Sequence, residues 1–178
     1  MPTPYLAANA PVVDGKLPGT EAWVSNAQTH SNGALWNNGT WVKRDIRGKP
    51  GQISNHAKGI AMDLSYRYMP ASNKGTTDGR TKSLAFIRTC LEHYEQLGIM
   101  LVIDYWPQYG RSWRCDRAGI GVVTVDHREA WQKPAKPTFT GAPGGDWWHV
   151  EITPDMANSP SKVNAAFTAV FGVSTTRP

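Results

Sequence analysis

Cysteine is scarce in this chain: Cys90 and Cys115 are the only two in 178 residues. Two are too few for a disulfide framework, and neither is spaced like a zinc-binding pair. Cys90 falls on a helical apolar face, where a buried thiol is the ordinary state. Long apolar runs are missing too. No stretch of about 18 apolar residues occurs, so no transmembrane helix is expected. The opening Met1-Pro2-Thr3-Pro4-Tyr5-Leu6 has neither a basic segment nor an apolar core and does not read as a signal peptide. Blocks of like charge are absent. The net charge is +5, but the basic residues are scattered, which argues against nucleic acid; a merely soluble surface accounts for most of the charge, and another anionic partner stays open. No internal repeat is visible.

What remains is ordinary for a globular protein, with 40% hydrophobic and 19% charged residues. A chain this long forms one domain and buries roughly 70% of its unfolded surface, so it needs no staples. Residues 1–19, with Pro2, Pro4, Pro11 and Pro18, read as an extended arm. Residues 20–173 read as the folded domain, and 174–178 as a tail or the start of a linker. Thr20 is expected to cap a short helix through Ala27. Asn32-Gly33 and Asn37-Asn38-Gly39 signal turns. Alternation makes Trp41 to Ile46 a strand with Val42, Arg44 and Ile46 on one face. Gly59 to Ser65 is the next strand. Residues 69–82 are a long polar loop of the kind found at binding sites.

Leu84, Ile87, Leu91, Tyr94 and Leu97 recur at helical spacing and end at Gly98. Ile99 to Ile103 is a nearly continuous apolar run, read as a central buried strand. Tyr105, Trp106 and Trp113 are rim packing or an aromatic wall. Val122 to Val125 is a further short strand. Residues 133–145 form a second long loop, placed to act as a lid. Trp147 to Ile152 is the last strand, with His149 and Glu151 on one face. Ser159-Pro160 starts a terminal helix that Gly172 ends. The expected fold class is α+β: a small single domain, with a central antiparallel sheet carrying the site and helices packed on its other face.

Two stretches carry chemistry. In Ser54-Asn55-His56-Ala57-Lys58-Gly59-Ile60-Ala61-Met62-Asp63, Gly59 permits a turn that swings His56 back toward Asp63. In Asp146-Trp147-Trp148-His149, a carboxylate precedes a histidine by three. Two imidazoles and a carboxylate (His56, Asp63 and His149) make a three-ligand zinc site, with a fourth position for water. Asp146 is then the carboxylate beside that water that metal-assisted hydrolysis needs as general base. Glu151 is a candidate partner for a ligating histidine. His30, His93 and His127 are read as ordinary polar residues. On Arg44 the residues alone leave two readings open: a snorkelling side chain at a sheet edge, or a cation aimed at the site.

The pattern Ser-x-His-x-x-Gly-x-Ala-x-Asp, followed by Asp-x-x-His, resembles the zinc D-Ala-D-Ala carboxypeptidase and L-alanyl-D-glutamate endopeptidase family, in its phage endolysin-like branch. Ser54, His56, Gly59, Ala61, Asp63, Asp146 and His149 carry the resemblance, which spans roughly residues 33–152. It implies one zinc ion per chain, a catalytic role for Asp146, and a site arginine at Arg44 with Arg47 as runner-up. It implies a substrate, bacterial peptidoglycan, and a monomer made in a host cytoplasm that acts on the cell wall without inserting into a membrane. Asp146 stands where the carboxypeptidase branch usually carries Glu, which points to hydrolysis of an internal L-alanyl-D-glutamate bond. A D-Ala-D-Ala carboxypeptidase, a cross-link endopeptidase and a zinc-containing wall-binding module without turnover stay open. A lysostaphin-like metallopeptidase does not fit, because no His-x-His occurs.

Overall fold

The structure is a computed structural model that describes residues 3–106, 111–116, 131–132 and 145–172. Helix α1 spans Pro18–His30. The strands are β1 (Trp36–Gly39), β2 (Asp45–Ile46), β3 (Lys49–Ile53) and β4 (Ala61–Ser65). Helix α2 (Gly79–Glu92) precedes β5 (Ile99–Asp104), β6 (Arg111–Arg114), β7 (Trp131–Gln132) and β8 (Trp147–Ile152). Helices α3 (Pro154–Asn158) and α4 (Pro160–Phe171) end the described chain. Six strands form one sheet in the order β1-β4-β8-β5-β6-β7, with every neighbouring pair antiparallel. β2 and β3 form a separate two-stranded ribbon. The domain is α+β with an antiparallel sheet, as the sequence pattern suggests.

Strand alternation divides the sheet into two chemically distinct faces. Met62 and Leu64 of β4, Trp148 and Val150 of β8 and Val102 of β5 share one face, and all are fully buried. The helices pack there. The Trp148 indole donates to Ser83 of α2 at 3.1 Å. Trp23 of α1 meets Phe167 of α4 edge-on at 5.0 Å, and its indole donates to the Leu97 carbonyl. The opposite face carries Asp63, His149 and Glu151, brought into line by the pairings Asp63↔His149 and Ala61↔Glu151. All six residues of β8 are buried, as a central strand covered on both sides requires.

Local rules hold where nothing competes with them. Ser159 accepts from the Lys162 amide, with Pro160 at the first helical position. Tertiary contacts win elsewhere. α1 begins at Pro18, two residues before Thr20; the Thr20 hydroxyl caps nothing and instead donates to the Gly59 carbonyl. The expected strand from Trp41 to Ile46 shrinks to Asp45–Ile46. The Trp41 indole donates to Val13 O and Lys43 pairs with Asp14, so both are drawn to the N-terminal arm, while the Arg44 carbonyl accepts from Ser54 N beside the β2–β3 ribbon. Asn37-Asn38-Gly39 is an edge strand with a bulge: Asn37 Oδ1 accepts from Gly39 N inside β1. α2 starts at Gly79, shortening the expected loop, and ends at Glu92, before Tyr94 and Leu97. The short helix α3, capped by Thr153, was not foreseen. The strand expected at Val122 to Val125, the 133–144 part of the lid, His127 and the 174–178 tail lie outside the described residues.

Candidate metal centre

The first histidine is placed by a short 3-10 turn, Asn55–Lys58. Ser54 caps it by accepting from the His56 amide. Gly59 ends it in the left-handed region at φ 70°, and a Cβ there would lie 2.6 Å from Leu17 Cγ. Both facts require glycine. The chain then enters β4, where Asp63 faces the same side as His149 on β8.

His56, Asp63 and His149 form a group whose donor atoms all lie within 4.8 Å of one another, the one such group among the described residues. His56 Nε2 is 3.4 Å from Asp63 Oδ1, and His149 Nδ1 is 2.9 Å from the same oxygen. Tetrahedral zinc with ligands at about 2 Å separates neighbouring donors by about 3.3 Å, so these spacings suit that geometry. The two rings meet edge-on, 5.0 Å apart. Two imidazole nitrogens and one carboxylate are also the right chemistry for a zinc-sized cation.

Behind His149 stands Glu151. Its Oε1 lies 3.0 Å from His149 Nε2 and accepts from Asn55 Nδ2 at 2.9 Å. Its Oε2 accepts from the Tyr5 hydroxyl at 2.5 Å. A carboxylate on the far nitrogen of a histidine fixes the ring and its tautomer, the usual support for a metal ligand. Burial alone would lower the His149 pKa, but the hydrogen bonds with Asp63 and Glu151 outweigh it and push it up to about 10. Burial would raise Asp63 and Glu151; their hydrogen bonds hold both below the usual carboxylate range. Without a metal the cluster is thus an imidazolium held between two carboxylates.

Asp146 lies just before β8. Its carbonyl accepts from Tyr66 N and from Ser65 Oγ, and its carboxylate accepts from Arg67 Nε at 2.5 Å and Nη2 at 3.1 Å. The residue expected to act as base is therefore anchored by a bidentate arginine. Arg44 Nη1 donates to the Asp45 carbonyl. Burial raises the Tyr105 hydroxyl to about 12; the charges of Asp63 and Glu151 add to that rise, and those of Arg44 and Arg47 oppose it. Tyr105 pairs with Trp147, ring centroids 5.0 Å apart.

Trp106 and Trp113 divide between core and rim: Trp113 is fully buried, and Trp106 packs against Tyr66 and Arg80. His30 stacks on both Phe167 and Phe171, and His93 is exposed after α2. Cys90 and Cys115 are free and buried. Three residues that hold Asp146 or Glu151 escaped the sequence reading. Arg67 was within reach of it, since Asp63, Ser65 and Arg67 share one parity. Tyr5 and Asn55 carry no sequence signal, because only the fold brings them to Glu151. No family model, curated protein or solved structure matches the chain.

Proposed function

We propose that the chain is a zinc-dependent peptidoglycan peptidase of the endolysin type, hydrolysing a stem-peptide bond, with L-alanyl-D-glutamate the preferred assignment. The observation that carries this reading is the convergence of His56, Asp63 and His149 with Glu151 behind the second histidine. His56 Nε2, Asp63 Oδ1 and His149 Nδ1 would hold the zinc ion. When bound, the ion supplies a Lewis acid and lowers the pKa of a coordinated water toward neutrality.

The chain's own groups do the rest. Asp146 accepts the proton from the attacking water and returns it to the leaving amine, oriented throughout by Arg67. Arg44 is assigned the role of stabilising the developing oxyanion or gripping a substrate carboxylate. Trp147, two residues before His149 on β8, packs against Tyr105. The scattered positive charge suits an acidic wall polymer.

Digestion of purified peptidoglycan, with labelling of newly exposed amino groups, tests the reading. New N-terminal glutamate is expected. Release of D-alanine alone would make the protein a carboxypeptidase, and new amines only at cross-links would make it a cross-link endopeptidase. Wall binding with bound zinc and no cleavage would leave a binding module.

A further inference from the structure

Glu151 is the junction of a hydrogen-bond network that reaches from the N-terminal arm to His149. Its two oxygens accept three bonds: Tyr5 on Oε2, and Asn55 and His149 Nε2 on Oε1. Asn55 also donates to the Tyr5 hydroxyl at 3.1 Å. The Tyr5 ring is packed under the Arg114 guanidinium, 4.9 Å away. Asn55 immediately precedes His56 in the same 3-10 turn. A carboxylate held by two neutral donors stays oriented as an acceptor. It then takes Nε2–H of His149 and leaves Nδ1, the atom facing Asp63, for the metal.

We propose that Tyr5 and Asn55 are positioning residues of the metal centre. Through Glu151 they fix the ring angle and tautomer of His149, and the N-terminal arm thereby becomes part of the metal site. This rests on the metal-binding half of the functional reading and is independent of the bond cleaved.

Tyr5→Phe isolates the effect, because it keeps the ring under Arg114 and removes only the hydroxyl. Thr3→Val is the control: Thr3 ties the same arm to Glu95 at 2.7 Å, away from the ligands. Zinc affinity is measured on the full chain by competition with a chromophoric chelator. The Co2+-substituted protein reports ligand geometry through its visible d–d bands. Outer partners of metal-bound histidines are worth roughly 10- to 100-fold in affinity. Tyr5→Phe and Asn55→Ala are expected to weaken zinc about tenfold and to shift the Co2+ bands, while Thr3→Val does neither.

In a Glu151→Ala background, Tyr5→Phe should add nothing, since its action passes through Glu151. Unchanged affinity and spectrum in Tyr5→Phe overturn the proposal. So does an equal loss in Thr3→Val, or a full tenfold loss in the Glu151→Ala background. Failure of the unsubstituted chain to bind either metal would instead refute the metal reading itself, and this inference with it.

Discussion

The imidazolium between two carboxylates makes the metal-free protein respond to pH in the opposite sense to the metal-loaded one. The His149 pKa is pushed up from 6.5 to about 10. A histidine whose folded pKa is raised contributes stability that is complete below its unfolded pKa and is lost as pH rises through the folded one. Asp63 and Glu151 are shifted down, so their contributions are present above about pH 4.5 and fade only on acidification. His30 is held low by burial, so its contribution grows with pH but is complete by about pH 6.5. Cys90 and Cys115, both raised by burial, act only from about pH 8.5 upward. Among the described residues, the decline between about pH 6.5 and 8.5 therefore belongs to His149.

Each pH unit there removes up to about 1.4 kcal/mol, so the window holds up to about 3 kcal/mol. For a chain of this size, 1 kcal/mol moves Tm by about 2–4 °C. With a chelator present, Tm should fall by roughly 5–11 °C from pH 6.5 to 8.5. With excess zinc the stabilisation should instead grow with pH, because the metal replaces the Nδ1 proton of His149. Differential scanning fluorimetry at matched ionic strength reads both series. A flat or rising Tm in the chelated series would refute the imidazolium; a zinc effect independent of pH would remove His149 Nδ1 from the ligand set.

Metal analysis should give about one zinc per chain, lost in each of His56→Ala, Asp63→Ala and His149→Ala; full retention in His149→Ala discards the assignment. Asp146→Asn should keep the metal and lose roughly 100- to 10,000-fold in peptidoglycan hydrolysis, and near-normal turnover would take Asp146 out of the base role. Arg44→Ala should cost activity more than Arg47→Ala; the reverse order in the same assay transfers the site cation to Arg47. Arg80 pairs with the fully buried Asp104 through two hydrogen bonds, at 2.9 and 2.8 Å, so Arg80→Ala should cost about 3–5 kcal/mol, read as a lower urea midpoint. An unchanged midpoint would show that Asp104 tolerates the loss.

The sequence by itself determined the parts that depend on spacing along one element. Apolar alternation put His149 and Glu151 on one face of β8, and the run from Ile99 to Ile103 marked a strand interior to the sheet. The first motif announced a turn closed by glycine and a strand bearing a carboxylate, because left-handed backbone and period-two alternation are local properties. His56, Asp63 and His149 were nameable because their residue types and order are those of a ligand set.

Only the tertiary structure decided which distant groups complete that set. The register of β4 against β8 sets Asp63 opposite His149, and nothing in either strand states that register. The arm delivers Tyr5 to a carboxylate 146 positions away. Arg67 claims Asp146 across 79 positions, where the sequence showed only a free base. Residues 41–44 had the alternation of a strand, yet Trp41 and Lys43 found their partners on the arm. Propensity and pattern act within a few residues. Hydrogen-bond partners of buried polar groups are chosen by whatever the whole fold brings within about 3 Å.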